Sequence, residues 1–219
     1  QLAAQEVIDG KLDEHFPIDI YQTGSGTSSN MNANEVIAHR AMELVPDLSV
    51  KVHPNDHINF GQSSNDTFPT AIRIAAYLEA KNTLIPALKY LRETLLKKGA
   101  EYSHVVKTGR THLMDAMPVT FEQEFGGYAR QIEMGIKRIE SALEQMAELP
   151  MGGTAVGTGI NTDPEFPPKF AAEMSKLCGE SFREAENHFE AQSTVDAPVA
   201  LGAQLKTLAV SLLKIVNDL

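Results

Sequence analysis

Cysteine is almost absent. Cys178 is the single one in 219 residues, so no disulfide can form within the chain, and a reducing compartment is the simple reading. Basic residues are in deficit as well. Lys and Arg number 19 against 29 Asp and Glu, a formal net charge of −10. That balance excludes a general binder of nucleic acid or of anionic membrane, and an anionic substrate would need local groups to draw it in against the overall field. No run of apolar residues approaches the length of a membrane span. The opening residues, QLAAQEVIDG, hold no initiator Met, basic stretch or apolar signal core. The sequence reads as trimmed, so a targeting segment could have preceded it. Also missing are a CxxC pair, a dinucleotide fingerprint, the spacing of a Ser-His-Asp triad, internal repeats, low-complexity tracts and strong strand alternation.

Enough apolar material is present for a sizeable core, in one large domain or two small ones. Three segments have helical periodicity. The first spans about 67–98, with Leu84, Leu88, Leu91 and Leu95 in its stripe. Pro69 falls in its first turn, where a missing N–H costs nothing, and Pro86 is expected to kink it. The second spans about 118–148, with Phe121, Phe125, Tyr128, Ile132, Ile136, Ile139, Leu143 and Met146 on one face. The third spans about 190–219, with Leu201, Leu205, Leu208, Leu212, Ile215 and Leu219. Near-heptad stripes on long helices predict an all-α bundle with shallow crossing angles. A domain boundary is expected near Gly61, giving an N-terminal domain over 1–61 and a long-helix domain over 62–219. The third stripe reaches the last residue with no Gly or Pro stop, as if the chain were cut there.

The polar loops between these segments carry the chemistry. In Gln22–Asn34, hydroxyls, amides and glycines precede a helix expected to start near Asn32. Such a loop can cap the helix, or hold a carboxylate without formal positive charge. His53-Pro-Asn-Asp-His57 invites a metal reading, which Pro54 weakens by disturbing the helix that would align both imidazoles; a solvated turn and an anion site are the alternatives. In Gly61–Pro69, Ser63, Ser64, Asn65 and Asp66 all precede a helix. One cap needs one side chain, so the surplus suggests binding. Lys107–Asp115 contains His112, suited to proton traffic or to a structural role, and Arg110 and Asp115, which could pair with each other. Gly152–Gly159 resembles a phosphate loop only superficially, because no Lys-Ser or Lys-Thr follows; tight backbone passage between helices is the better reading. Jointly, the loops could bind a small polyanion and move protons. Spacing and composition do not choose the substrate.

QTGSGTSSNMNANEV, HPNDH, GQSSNDTFPTA, GRTHLMDAMPVT and GGTAVGTG, in this order, resemble the motif series of the fumarase/aspartase superfamily over essentially the whole chain. The closest resemblance is to class II fumarases. GRTH carries a histidine where aspartases tend to have glutamine, and QSSND stands where they tend to read QSTND. The resemblance implies an all-α long-helix bundle behind a small, mostly helical N-terminal domain. It also implies a homotetramer whose active sites draw loops from three subunits, and reversible hydration of fumarate to malate with no metal or organic cofactor, in the cytoplasm or, in a eukaryote, the mitochondrial matrix. By it, Ser25, Gly26, Thr27, Ser63, Ser64, Asn65 and Thr111 contact substrate. His112 is the active-site histidine, and His53, Pro54, Asn55 and Asp56 form a second dicarboxylate site near the entrance.

The residue types suit that reaction. Removing the weakly acidic proton beside the malate carboxylate puts a second negative charge on that carboxylate, which preorganised donors must stabilise. An acid must protonate the departing hydroxyl and a base must take the carbon proton. The resemblance ties the His112 position to one of these roles and a serine in a GSSxMPxKxN loop to the other. That loop is not in these residues, nor is the start of the family's N-terminal domain, and 43–51 is short before HPND. The expectation is an incomplete enzyme, inactive by itself. The alternatives are an aspartate ammonia-lyase of the same superfamily, against which His112 argues, and a catalytically inactive helical assembly protein, against which the retained loops argue.

Overall fold

The computed structural model describes residues 1–47 and 49–219. Leu48, inside the short 43–51 segment, lies outside the described residues. Packing divides the chain into two compact units, one of residues 1–73 with 147–195 and one of 74–146 with 196–219, a different division from a single cut at Gly61. Helices dominate both, as expected for an all-α chain.

The first unit begins with α1 (Leu2–Ile8), a 3-10 turn (Asp13–His15) and α2 (Thr27–Leu44). The carboxylate of Glu6 in α1 binds the guanidinium of Arg40 in α2. α2 starts five residues before the expected Asn32, because Gly26 reverses the chain at φ +69°. Pro54–Ile58 makes a single π turn. The unit also holds the start of α3 (Ser64–Glu79) and the later elements β3 (Glu148–Leu149), α6 (Phe166–Cys178), β4 (Arg183–Glu184) and α7 (His188–Ser193). β3 and β4 pair in parallel. The buried guanidinium of Arg73 donates to the Glu148 carbonyl at 2.7 Å, and burial holds its pKa below the usual arginine value.

The second unit contains the long helices. α3 runs through a π stretch, Ala80–Leu84, into α4 (Ile85–Glu101). The helix expected from Thr67 to Lys98 therefore extends further at both ends. Pro69 lies inside α3 rather than in its first turn, so no N–H is available for the Asn65 carbonyl. The predicted disturbance at Pro86 takes the form of the π stretch. Asn82, four residues earlier, sits in the widened turn, which relieves the clash of a proline ring with the i−4 carbonyl. Lys107–Pro118, read as a loop, folds as a hairpin of β1 (Val106–Thr111) and β2 (Met114–Thr120), with a bulge between Thr108 and Arg110. α5 (Phe121–Met146) thus starts three residues after Pro118. Its stripe packs as predicted. Tyr128, Ile132, Ile136, Ile139, Leu143 and Met146 are buried, with Leu88 and Leu95 of α4 and Leu201, Leu208 and Ile215 of α8 (Asp196–Asp218). Each such side chain contributes about 1.5–3 kcal/mol by leaving water.

The third expected helix is two. Thr194 is extended and ends α7 before α8 begins. α8 also overturns the expectation about membrane spans, since its 23 residues are long and apolar enough to cross one by length and composition. Lys206 and Lys214 break the run as written, yet Leu, Ala and Val dominate between them. Only one stripe of α8 is buried; Leu213 and Val216 are 61% and 68% exposed.

Candidate active site

In the first unit, two polar loops converge. α2 has no side-chain cap at its start, so the backbone N–H groups of its first turn, in a segment reading Thr27-Ser28-Ser29, keep the partial positive character of a helix N-terminus. The Ser25 and Thr27 hydroxyls lie 3.2 Å apart beside it. A Cβ on Gly26 would sit 2.1 Å from the Phe68 ring of α3, so only glycine lets this turn press against the second loop.

There, the surplus of capping side chains divides residue by residue. Ser63 and Asp66 form a reciprocal cap: the Asn65 N–H donates to Ser63 Oγ at 3.2 Å, and the Ser63 N–H donates to Asp66 Oδ1 at 2.9 Å. Ser64 and Asn65 are left for other work. Ser64 Oγ accepts from Asn30 Nδ2 at 2.9 Å, which leaves its own proton to donate. Asn65 Nδ2 donates to the Ala155 carbonyl at 2.8 Å. Gly24, Ser25, Asn65, Phe68 and Ala155 are among the residues lining a cleft of about 360 Å³, room enough for a small dicarboxylate. Its donors are neutral hydroxyls and amides. That answers how a chain of net charge −10 could hold an anion.

His53 and His57 do not face a common point. His57 Nδ1 accepts from the His53 N–H at 2.7 Å. His53 Nδ1 lies 3.3 Å from both the Asp56 N–H and the Asp56 carboxylate. Each imidazole thus holds its own turn. Among the described residues, no group of three or more His, Cys, Asp or Glu could hold a metal ion. Asn55 and Asp56 open on a separate cleft of about 610 Å³ that also meets Ser63, Thr154 and Ala155.

Thr111 and His112 belong to the second unit. His112 and Leu113 are the two central residues of the β1–β2 turn, and both have positive φ, at 51° and 62°. Asn-Gly normally fills such turns. A β-turn built from His and Leu stores strain, and strain of this kind gathers at functional positions. The imidazole is exposed at the tip. Arg110 and Asp115 face each other across the hairpin as an ion pair at 3.8 Å.

A family model described as lyase matches residues 1–219. The chain belongs to the lyase family. Among its relatives within that family is the class II fumarate hydratase of Corynebacterium glutamicum, 58% identical over 99% of this chain and 45% of the relative. The mitochondrial fumarate hydratase of Saccharomyces cerevisiae is 53% identical over 100% and 45%. Among solved structures, the recombinant class II fumarase of Schistosoma mansoni superposes with a TM-score of 0.96 at 39% identity, over 99% of this chain and 49% of that one. The resemblance to class II fumarases read from the five motifs is borne out. The chain spans about half the length of the curated relatives it matches.

For this lyase-family chain, sequence reasoning missed the groups behind the loops. Asn30 Nδ2 and Asn34 Nδ2 both donate to Asn59 Oδ1 at 3.2 Å, and Asn34 also donates to the Asn30 carbonyl at 2.8 Å. This buried amide network fixes Ser64. Its signal in the sequence was two asparagines four apart inside a helix, where asparagine is otherwise unfavourable. The Gly152–Gly159 loop is a tight passage, as expected. At Gly152, φ is +106° and a Cβ would lie 2.1 Å from Pro167.

Proposed function

We propose that the chain carries the dicarboxylate-binding and proton-transfer parts of a class II fumarate hydratase, which adds water reversibly to fumarate to give malate. The observation that supports this best is the Ser25–Asn65 cleft, where neutral donors and an uncapped helix start converge, in a chain of the lyase family. Ser25, Gly26, Thr27, Ser63, Ser64 and Asn65 bind the carboxylate that becomes dianionic when the adjacent carbon loses its proton. Thr111 contributes a further contact, and His112 serves one of the two proton roles. The other falls to a group outside these residues. His53, Pro54, Asn55 and Asp56 form a second dicarboxylate site, which the neighbouring cleft supports.

The exposed apolar faces of α8 support assembly with further copies, as a homotetramer whose sites combine loops from different subunits. The boundary at 61/62 is kept as the domain boundary of the assembled protein. The reaction needs no resident metal or organic cofactor, and the protein works in the cytoplasm or the mitochondrial matrix. The main alternative is an aspartate ammonia-lyase; the relatives named fumarate hydratase weigh against it. A catalytically inactive helical assembly protein would need none of the donors that the cleft retains.

The test uses a polypeptide that carries these residues at the relatives' full length, called here the long form. Ultraviolet absorbance should record fumarate formed from malate and none from aspartate. Fumarate from aspartate alone would overturn the proposal.

A further inference from the structure

Asp66 is the most buried ionisable side chain described, at 0% exposure. One of its oxygens completes the helix cap with the Ser63 N–H. A neutral amide could do that much, as glutamine does in capping boxes. The second oxygen does something a cap does not require. It accepts from the Gly152 N–H at 3.1 Å and the Thr154 N–H at 2.8 Å, holding the Gly-rich loop against the start of α3. Thr154 is buried and β-branched, yet sits at φ +55°, a conformation that persists only where the surroundings over-determine it. Two contacts pin it: Asp66 at its N–H, and Gln192 Nε2 donating to its carbonyl at 2.7 Å. The next residue, Ala155, accepts from Asn65 Nδ2. A backbone carbonyl can only accept, so this contact decides which end of the Asn65 amide is nitrogen.

We propose that Asp66 is a positioning residue. Its carboxylate clamps Gly152–Ala155 in place, and the Ala155 carbonyl then fixes the Asn65 amide so that its second N–H is presented to a carboxylate in the cleft. The inference rests on the reading of Asn65 as a substrate contact. Asparagine at position 66 could serve the cap or the loop, not both, and would turn an NH2 group toward backbone donors.

The test is a double-mutant cycle on kcat/KM for malate in the long form, with thermal midpoints measured alongside. Asp66→Asn and Asn65→Ala should each lower kcat/KM by about tenfold or more, as for a lost hydrogen bond to a charged group. The double variant should be no worse than Asn65→Ala, because Asp66 acts through Asn65. The midpoint lost through Asp66→Asn should be the same in both backgrounds. If the two activity losses multiply, Asp66 is merely structural and the proposal fails while the Asn65 reading stands. If Asn65→Ala leaves kcat/KM unchanged, the reading of Asn65 fails and the proposal falls with it. Should Asp66→Asn not fold, Gln192→Met loosens the same loop from its other side without touching the buried carboxylate. Its smaller loss should likewise vanish in the Asn65→Ala background, and multiplication there overturns the proposal.

Discussion

His112 stands at a turn position of positive φ, beside Leu113 in the same conformation. Positive φ at two successive non-glycine residues costs on the order of 1–3 kcal/mol each, and the hairpin bears that cost while displaying an exposed imidazole. On the proposed function, the tolerated cost goes with a proton-transfer role for His112. His112→Asn in the long form should reduce turnover by about 10² or more, with fumarate binding retained; near-normal turnover in a folded variant would remove His112 from the chemistry. The proposed function puts Thr27 on the binding side. Thr27→Ala should weaken transition-state binding by about 1–3 kcal/mol, read as kcat/KM for malate. His53 holds its own turn through Nδ1 and does not line the Ser25–Asn65 cleft, so His53→Ala should leave turnover largely intact. A large loss there, with Thr27→Ala silent, would reverse the assignment of the two sites.

Among the elements, α5 and the end of α8 are joined by a polar contact as well as by their stripes. The Tyr128 hydroxyl donates to Asp218 at 3.1 Å. Burial, assisted by the carboxylates of Glu124 and Asp218, pushes the phenol above its ordinary value of 10.0. A raised folded value means that the contribution is fully present below the unfolded pKa near 10 and is lost as pH rises toward the folded one. Tyr128→Phe should therefore cost about 1 kcal/mol at neutral pH. In thermal melts the gap between the two proteins should stay constant up to about pH 10 and narrow above it. A gap unchanged at pH 11 would show that the phenol is not perturbed by the fold.

The elements also show what the written sequence could and could not reveal. The α5 stripe was legible because six of its eight apolar positions are buried, packed between α4 and α8, so local periodicity and tertiary packing agree. The hairpin was not, since His112-Leu113 carries none of the glycine or asparagine that marks such a turn. The break before α8 was marked only by Thr194, Asp196 and Pro198, the start signals of a helix, which the apolar pattern on either side outweighed. In the site, Ser64 and Asn65 could be picked out by excess capping capacity. The second oxygen of Asp66 could not, because its partners lie 86 and 88 residues away.

At the scale of the whole molecule, the proposed parts are separated by unit. The dicarboxylate loops belong to the first and the His112 hairpin to the second, while α8 leaves Val199, Val210, Leu213 and Val216 largely exposed. Apolar area of that kind seeks partners. On the proposed function, the binding loops of one chain serve the histidine of another within an oligomer. Subunit complementation tests this most directly. Long forms carrying His112→Asn or Asn65→Ala should each be impaired, by about 10² or more and by about tenfold or more respectively. Unfolded together and refolded as a mixture, they should form some sites with both residues intact and regain malate-to-fumarate activity well above either parent. If both variants assemble and the mixture shows no more activity than the two parents refolded separately, the site is not shared between chains and the account is wrong.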